Sequence, residues 1–177
     1  GGEGGQESWT RPGVRDQVGR DCTAVEPENK GVTDLTELKT REFKLYLCIV
    51  LYVFDQRVVG WSMDDHQRIE LTERALDMAL QQRKPASGLI LHHDRGSQYT
   101  SARYRAKVEA ANITLSMSRP SMPYDNAMAE SFFATLKLEI NEGEAFANRD
   151  AARRAVFEYV EVFYNRVRMH SGLGYRS

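Results

Sequence analysis

Residues 45–54 run apolar almost without a break, Leu-Tyr-Leu-Cys-Ile-Val-Leu-Tyr-Val-Phe, which is the pattern of a strand buried on both faces. Residues 31–39 before it alternate loosely between apolar and polar. After it, Asp55-Gln56 marks a turn and residues 57–63 make a third strand. So short a connection demands an antiparallel hairpin. The period then changes. Ile69, Thr72, Leu76 and Ala79-Leu80 share one face of a helix over residues 69–83, ended by Pro85 and Gly88. Residues 89–92 are a short apolar strand. Residues 101–111 predict a helix capped by Thr100 or Ser101, and residues 113–117 a fifth strand. A helix from Asp125 or Asn126 to about Ile140 follows. A last one spans about residues 150–166, with Ala152, Val156, Tyr159-Val160 and Phe163 on one face. Residues 1–29 have no apolar period and are rich in Gly and charge, as a disordered tail or linker is.

The predicted order is β-β-β-α-β-α-β-α-α. It implies an α/β domain over residues 30–177 with a mixed five-stranded sheet, three antiparallel strands and then parallel additions, covered by helices. That order matches the ribonuclease H-like fold. The 177 residues suffice for one domain with a real core. No apolar run reaches the ~18 residues of a membrane span. Cys22 and Cys48 are too few and too far apart for a disulfide framework or a zinc knuckle, which fits reduced cytosolic thiols.

A net charge of −1 argues against a whole-surface nucleic-acid binder. The distribution is less even. Residues 1–90 hold 12 basic and 15 acidic side chains, residues 91–177 hold 12 and 10, and Arg149, Arg153, Arg154, Arg166, Arg168 and Arg176 crowd the end. A phosphate-facing surface and a solvated helix face both fit that pattern.

Three acids stand in polar clusters on three different elements: Asp34 in Val-Thr-Asp-Leu-Thr, Asp94 in His-His-Asp-Arg-Gly-Ser-Gln-Tyr, and Glu130 in Asp-Asn-Ala-Met-Ala-Glu-Ser-Phe. Thirty-five residues separate Asp94 from Glu130. With no Cys or His set of metal-ligand spacing nearby, the donors suit a hard divalent cation, the usual equipment for phosphoryl transfer. Asp94 lies just past a buried strand, where sites of α/β sheets collect, and the strand of Asp34 is a candidate neighbour. Glu130 and Lys137 are seven residues apart, so they share a helix face with Asn126 one turn before. His92 and His93 point to opposite sides of a strand, so at most one faces the acids. Asp55, Asp64 and Asp65 fit turns, and Glu139 is expected in solvent. Tyr164, Asn165, Arg168 and His170 suit either phosphate contacts or a plain helix end.

These segments resemble the integrase catalytic core, of DDE type, of bacterial insertion-sequence transposases (second-frame proteins), itself similar to the core of retroviral integrases. The resemblance runs from about residue 21 to the end. It rests on Val32–Thr36, on Arg57-Val-Val-Gly-Trp61, on the segment His92–Tyr99, on Asp125 through Glu130 to Lys137, and on Tyr164-Asn165 with Arg168, His170-Ser171 and Leu173-Gly174-Tyr175. It implies a catalytic and metal-binding triad of Asp34, Asp94 and Glu130 with Mg²⁺ or Mn²⁺, two ions, and DNA cleavage and strand transfer in transposition. It further implies DNA contacts from Lys137, Asn126, Arg95, Gln98, Arg168 and His170, at least a dimer on DNA, no membrane and a bacterial cytoplasm. Gly31 stands where the family usually has Trp, Tyr52 where it has Asp, and Ser121-Met122 where it has Gly-Asn. Loss of an apolar anchor at Gly31 is expected to loosen Asp34. The opening Gly-Gly-Glu-Gly-Gly and the stop at Tyr175-Arg176-Ser177 suggest a fragment truncated at its C-terminal end. Another ribonuclease H-like nuclease, or a remnant that only binds DNA or a partner subunit, are the alternatives.

Overall fold

The computed structural model describes residues 30–40, 44–54, 56–82, 88–94, 97–117, 124–140, 146 and 148–165, with only the backbone of 97, 124–126 and 163. The tail predicted over residues 1–29 and the closing segment 166–177 lie outside the described residues.

The elements are β1 (Lys30–Lys39), β2 (Lys44–Tyr52), β3 (Arg57–Asp64), α1 (Ile69–Gln82), β4 (Ile90–His93), a one-turn α2 (Ser97–Thr100), α3 (Ala102–Ala110), β5 (Thr114–Met117), α4 (Tyr124–Glu139) and α5 (Arg149–Phe157), which continues as a π-helix over Glu158–Tyr164. The strands form one sheet in the order β3-β2-β1-β4-β5. β1, β2 and β3 pair antiparallel, whereas β1–β4 and β4–β5 are parallel. This is the predicted α/β, ribonuclease H-like arrangement, with α2 as an addition.

The unbroken apolar run of β2 is explained by cover on both faces. Leu45, Leu47, Ile49 and Leu51 enter one core with Phe132 and Leu136 of α4, Val156 of α5 and Val160 of the π-helix. Cys48, Val50 and Tyr52 enter a second core with Leu71, Ala75 and Leu76 of α1 and Tyr104 and Val108 of α3. β1 is the middle strand, yet Asp34 through Glu37 are only half buried. Val32 enters the core on the α4 side of the sheet. Asp34 shares that face, because side chains two apart on a strand point the same way.

Packing at the β3 edge is close. The register with β2 slips by one residue between Val50 and Leu51, which leaves Val59 as an extra residue, a β-bulge. Gly60 follows it, and a Cβ there would lie 2.1 Å from the Ala75 carbonyl oxygen and 2.8 Å from the Ala79 nitrogen of α1. At the same edge the Val58 N–H donates to Asn165 Oδ1 at 3.0 Å, and Asn165 Nδ2 donates to the Val58 carbonyl at 2.9 Å. A side-chain amide thus caps the edge of the sheet. The π-helix brings it there. The Asn165 N–H reaches back to the Val160 carbonyl, five residues earlier, and the wider turn sets Tyr159 and Tyr164 on one side, both packed on Phe132. Regular helix was predicted here. Tyr164 and Asn165 are buried, so they serve the fold rather than a phosphate.

The expectation that Gly31 loosens Asp34 needs correction. Gly31 sits opposite Tyr52. A Cβ on Gly31 would already stand 3.3 Å from Leu91 Cδ1 and 3.5 Å from Tyr52 Cδ1. The tyrosine ring and the leucine fill the space, an aromatic side chain covering a cross-strand glycine.

Gly60→Ala is expected to lower unfolding free energy by about 3 kcal/mol, the upper end of overpacking, because the new methyl meets helix backbone. Gly31→Ala, tight only against the end of a leucine and at ordinary contact with Tyr52, should cost less than about 1 kcal/mol. Denaturant melts of the two variants check the order.

Candidate active site

β1 and β4 bring the first two acids together. Their parallel ladder pairs Lys30 with Ile90, Gly31 with Leu91 and Val32 with His92. Two residues farther along, the same register sets Asp34 across from Asp94, on strands spaced about 4.8 Å apart. The carboxyl groups of Asp34 and Asp94 are in hydrogen-bonding contact. Asp34 Oδ1 also accepts the Leu35 N–H at 2.9 Å.

Burial is the main reason the Asp34 carboxyl is pushed up to about 7. The Leu35 N–H pulls it back, while the Asp94 charge, the Asp94 hydrogen bond and the Glu130 charge push it further. Two carboxyl groups in contact hold one proton more readily than two negative charges. Glu130 reaches Asp34 as a charge from α4. That helix buries Ala129, Phe132, Phe133 and Leu136 and leaves Glu130 exposed. The structure therefore brings together the three acids that the sequence singles out, two in contact and the third near enough to act as a charge.

A second acid set makes a useful contrast. Asp64 closes β3 rather than lying in a turn, and Asp65 and His66 follow it. Among the described residues, the ligand atoms of Asp64, Asp65 and His66 are the ones that all lie within 4.8 Å of one another. The triad is more open. Asp65, however, is held down to about 2 by its hydrogen bonds with Asp64 and His66. Arg74 pairs with Asp64 at 3.2 Å, and Arg149 with Asp65 at 3.5 Å. That set already has its cations. Asp34 is raised instead, by burial first and then by the Asp94 and Glu130 charges, and the three acids offer oxygen donors. Such a set fits a hard divalent cation.

Lys137, on the Glu130 face, sends its Nζ to Thr36 Oγ1 at 2.9 Å. Thr36 lies two residues beyond Asp34, so the ammonium borders the acids. His93 is buried, and its ring Nδ1 hydrogen-bonds to the Asp94 carbonyl. A carbonyl only accepts, so Nδ1 carries the hydrogen. Burial, partly offset by that bond, holds His93 below its ordinary value and keeps it neutral. His92 pairs with Ser116 of β5, and both side chains are fully buried.

The predicted DNA contacts are placed unevenly. Gln98 requires correction: it is buried, and its amide donates to Gln67 Oε1 at 3.3 Å, so it is not presented to DNA. Helix α2, absent from the predicted elements, turns it inward. Asn126 lies on α4 with its side chain outside the described residues, as are Arg95, Arg168 and His170 altogether. Glu139 is exposed as expected. Sequence reasoning misses Thr36, whose two-residue spacing from Asp34 on a strand is the signal that finds it.

Comparison with known proteins agrees. Integrase core domain families match residues 24–123 and residues 111–177. The transposase for insertion sequence element IS904 of Lactococcus lactis subsp. lactis (strain IL1403) is 41% identical over 170 residues, spanning 96% of this chain and 66% of that protein. Transposase InsF for insertion sequence IS3A of Escherichia coli (strain K12) is 44% identical over 155 residues, 88% of this chain and 54% of that protein. The chain thus spans about half to two-thirds of the length of these relatives. Among solved structures, the simian T-cell lymphotropic virus intasome in complex with PP2A regulatory subunit B56 gamma matches with a TM-score of 0.62 at 16% identity, over 84% of this chain and 51% of that one. The HTLV-2 integrase catalytic core domain in complex with magnesium, in its dimeric form, matches at 0.59 and 16%, over 77% and 89%. At such identity these two likenesses concern the fold alone. With both halves matched in the order that the sheet and helices follow, the chain belongs to the integrase core domain family.

Proposed function

We propose that this chain is the catalytic core of a DDE-type transposase, a polynucleotidyl transferase that cuts a DNA strand at a transposon end and joins its 3′-hydroxyl to target DNA. The observation that carries the reading is the contact of Asp34 with Asp94 under the charge of Glu130, three carboxyl groups gathered from three elements. Asp34, Asp94 and Glu130 would hold Mg²⁺ or Mn²⁺, as two ions. When bound, such ions activate the attacking oxygen and stabilise the leaving oxygen of an in-line displacement.

The protein's own contribution is positional. Asp34 sits on the middle strand, held in the β2 ladder opposite Ile49. Asp94 follows a strand end, and Glu130 stands on an exposed helix face able to adjust to the ligands it meets. Lys137, poised by Thr36, offers a point charge to a DNA phosphate. In this reading Asn126, Arg95, Arg168 and His170 line the DNA path, and two copies act together on paired ends in the bacterial cytoplasm. No helix among the described residues is long and apolar enough to cross a membrane. Names of the relatives support transposition over a general ribonuclease H-like nuclease.

With Mn²⁺ and duplexes ending in the inverted repeats that flank its gene, the protein should nick at the repeat end. Glu130→Gln should reduce nicking by at least about 100-fold, the upper loss for a group one step removed from a ligand. Equal nicking by the variant, or preference for an RNA–DNA hybrid, contradicts the reading.

The raised Asp34 value also sets a pH dependence. Between about 4 and about 7 the folded protein keeps a proton that the unfolded chain has released, so metal-free stability should fall as pH rises through that window and level off above it. Thermal melts should show the fall, its loss in Asp34→Asn, and recovery above pH ~7 on adding Mn²⁺, which binds the deprotonated folded form.

A further inference from the structure

We infer that Tyr99 is a positioning residue that sets the separation of Asp34 and Asp94 from the far side of the sheet, acting through Thr33 and His93. The inference rests on the reading of these acids as a divalent-cation site.

The ladder between β1 and β4 ends at the pair Val32–His92. Both acids lie beyond it, so the register points them at each other but no β1–β4 hydrogen bond reaches them. Behind them a different linkage does. Thr33 points away from Asp34, into the core shared with α1 and α3. Its Oγ1 lies 3.2 Å from the Tyr99 hydroxyl and 3.7 Å from Cys48 Sγ, and the latter two are 3.6 Å apart. This triangle is dry: Thr33 is 1% exposed, Cys48 and Tyr99 0%. The Tyr99 ring stacks on His93 at 5.4 Å with a 32° tilt, and meets the Tyr104 ring edge-on at 5.4 Å. His93 in turn bonds the Asp94 carbonyl. A closed path thus runs from the backbone of Asp94 through His93, Tyr99 and Thr33 to the backbone of Asp34.

Packing alone does not call for these groups. A phenylalanine would fill the Tyr99 site and a valine the Thr33 site without burying polar atoms. A buried hydroxyl costs free energy unless it is bonded. Bonded, it adds direction, which apolar contact lacks. Cys48, whose thiol burial pushes up to about 12, stays a neutral partner in the triangle.

The test is Mn²⁺ binding to the full chain without DNA, followed by the spectroscopic signal of the unbound ion, with thermal melts alongside. Wild type should bind more than tenfold tighter than Asp34→Asn. Tyr99→Phe and Thr33→Val should each weaken binding about tenfold, the lower range for groups that orient metal ligands. Thr33→Ser, which keeps the hydroxyl, should restore it. Tyr99→Phe combined with Thr33→Val should bind no worse than either alone, because both cut one linkage. If Asp34→Asn binds as tightly as wild type, the cation-site reading fails and this inference with it. If Asp34→Asn is weak while Tyr99→Phe binds like wild type, the site stands and the positioning role is overturned. A lower melting temperature with unchanged Mn²⁺ affinity likewise overturns it.

Discussion

Two carboxyl groups held against each other at the end of a parallel strand pair are the constraint on which the rest of this structure depends. Asp34 and Asp94 reach contact because β4 lies beside β1 in the register that pairs Val32 with His92. Bringing them there is unfavourable while both are charged, and burial deepens the conflict. A proton relieves it in the metal-free protein. In the proposed reading a divalent cation would relieve it better, with the exposed Glu130 on the facing helix as a third ligand. The apolar cores on both sides of the sheet supply the stability against which this repulsion is held.

The contrast with Asp64, Asp65 and His66 sharpens the point. Proximity of acids is not by itself a metal site. Those three are closer to one another than the triad, but Arg74 and Arg149 balance them and Asp65 is held low. What distinguishes the triad is burial together with mutual charge, which raises Asp34 where the Asp64 set holds Asp65 low.

Much of this was legible in the sequence, for physical reasons. Strand and helix periods differ, so the apolar run of β2 and the spaced positions of α1 identify their elements. The hairpin connection sets β2 against β3. The place of β1 beside β4 is less certain from pattern alone, and the acids follow it. Three features were not legible. The π-helix at Glu158–Tyr164 arises from tertiary packing of Tyr159 and Tyr164 on Phe132 and from the docking of Asn165 on β3, not from local propensity. Gln98 lies next to an acid segment and so suggests DNA, but a single helical turn buries it. Gly31 suggests a void, and only the cross-strand register reveals that Tyr52 and Leu91 fill it. In each case a long-range contact, invisible to spacing, decides the outcome.

The account stands most directly on the protonation of Asp34. A carbon-13 NMR titration of its side-chain carboxyl in metal-free protein should find the midpoint near about 7, and saturating Mg²⁺ should drive it below the ordinary value of 3.8. A midpoint at the ordinary value, unmoved by Mg²⁺, would contradict the claim that this acid pair is built to receive a cation.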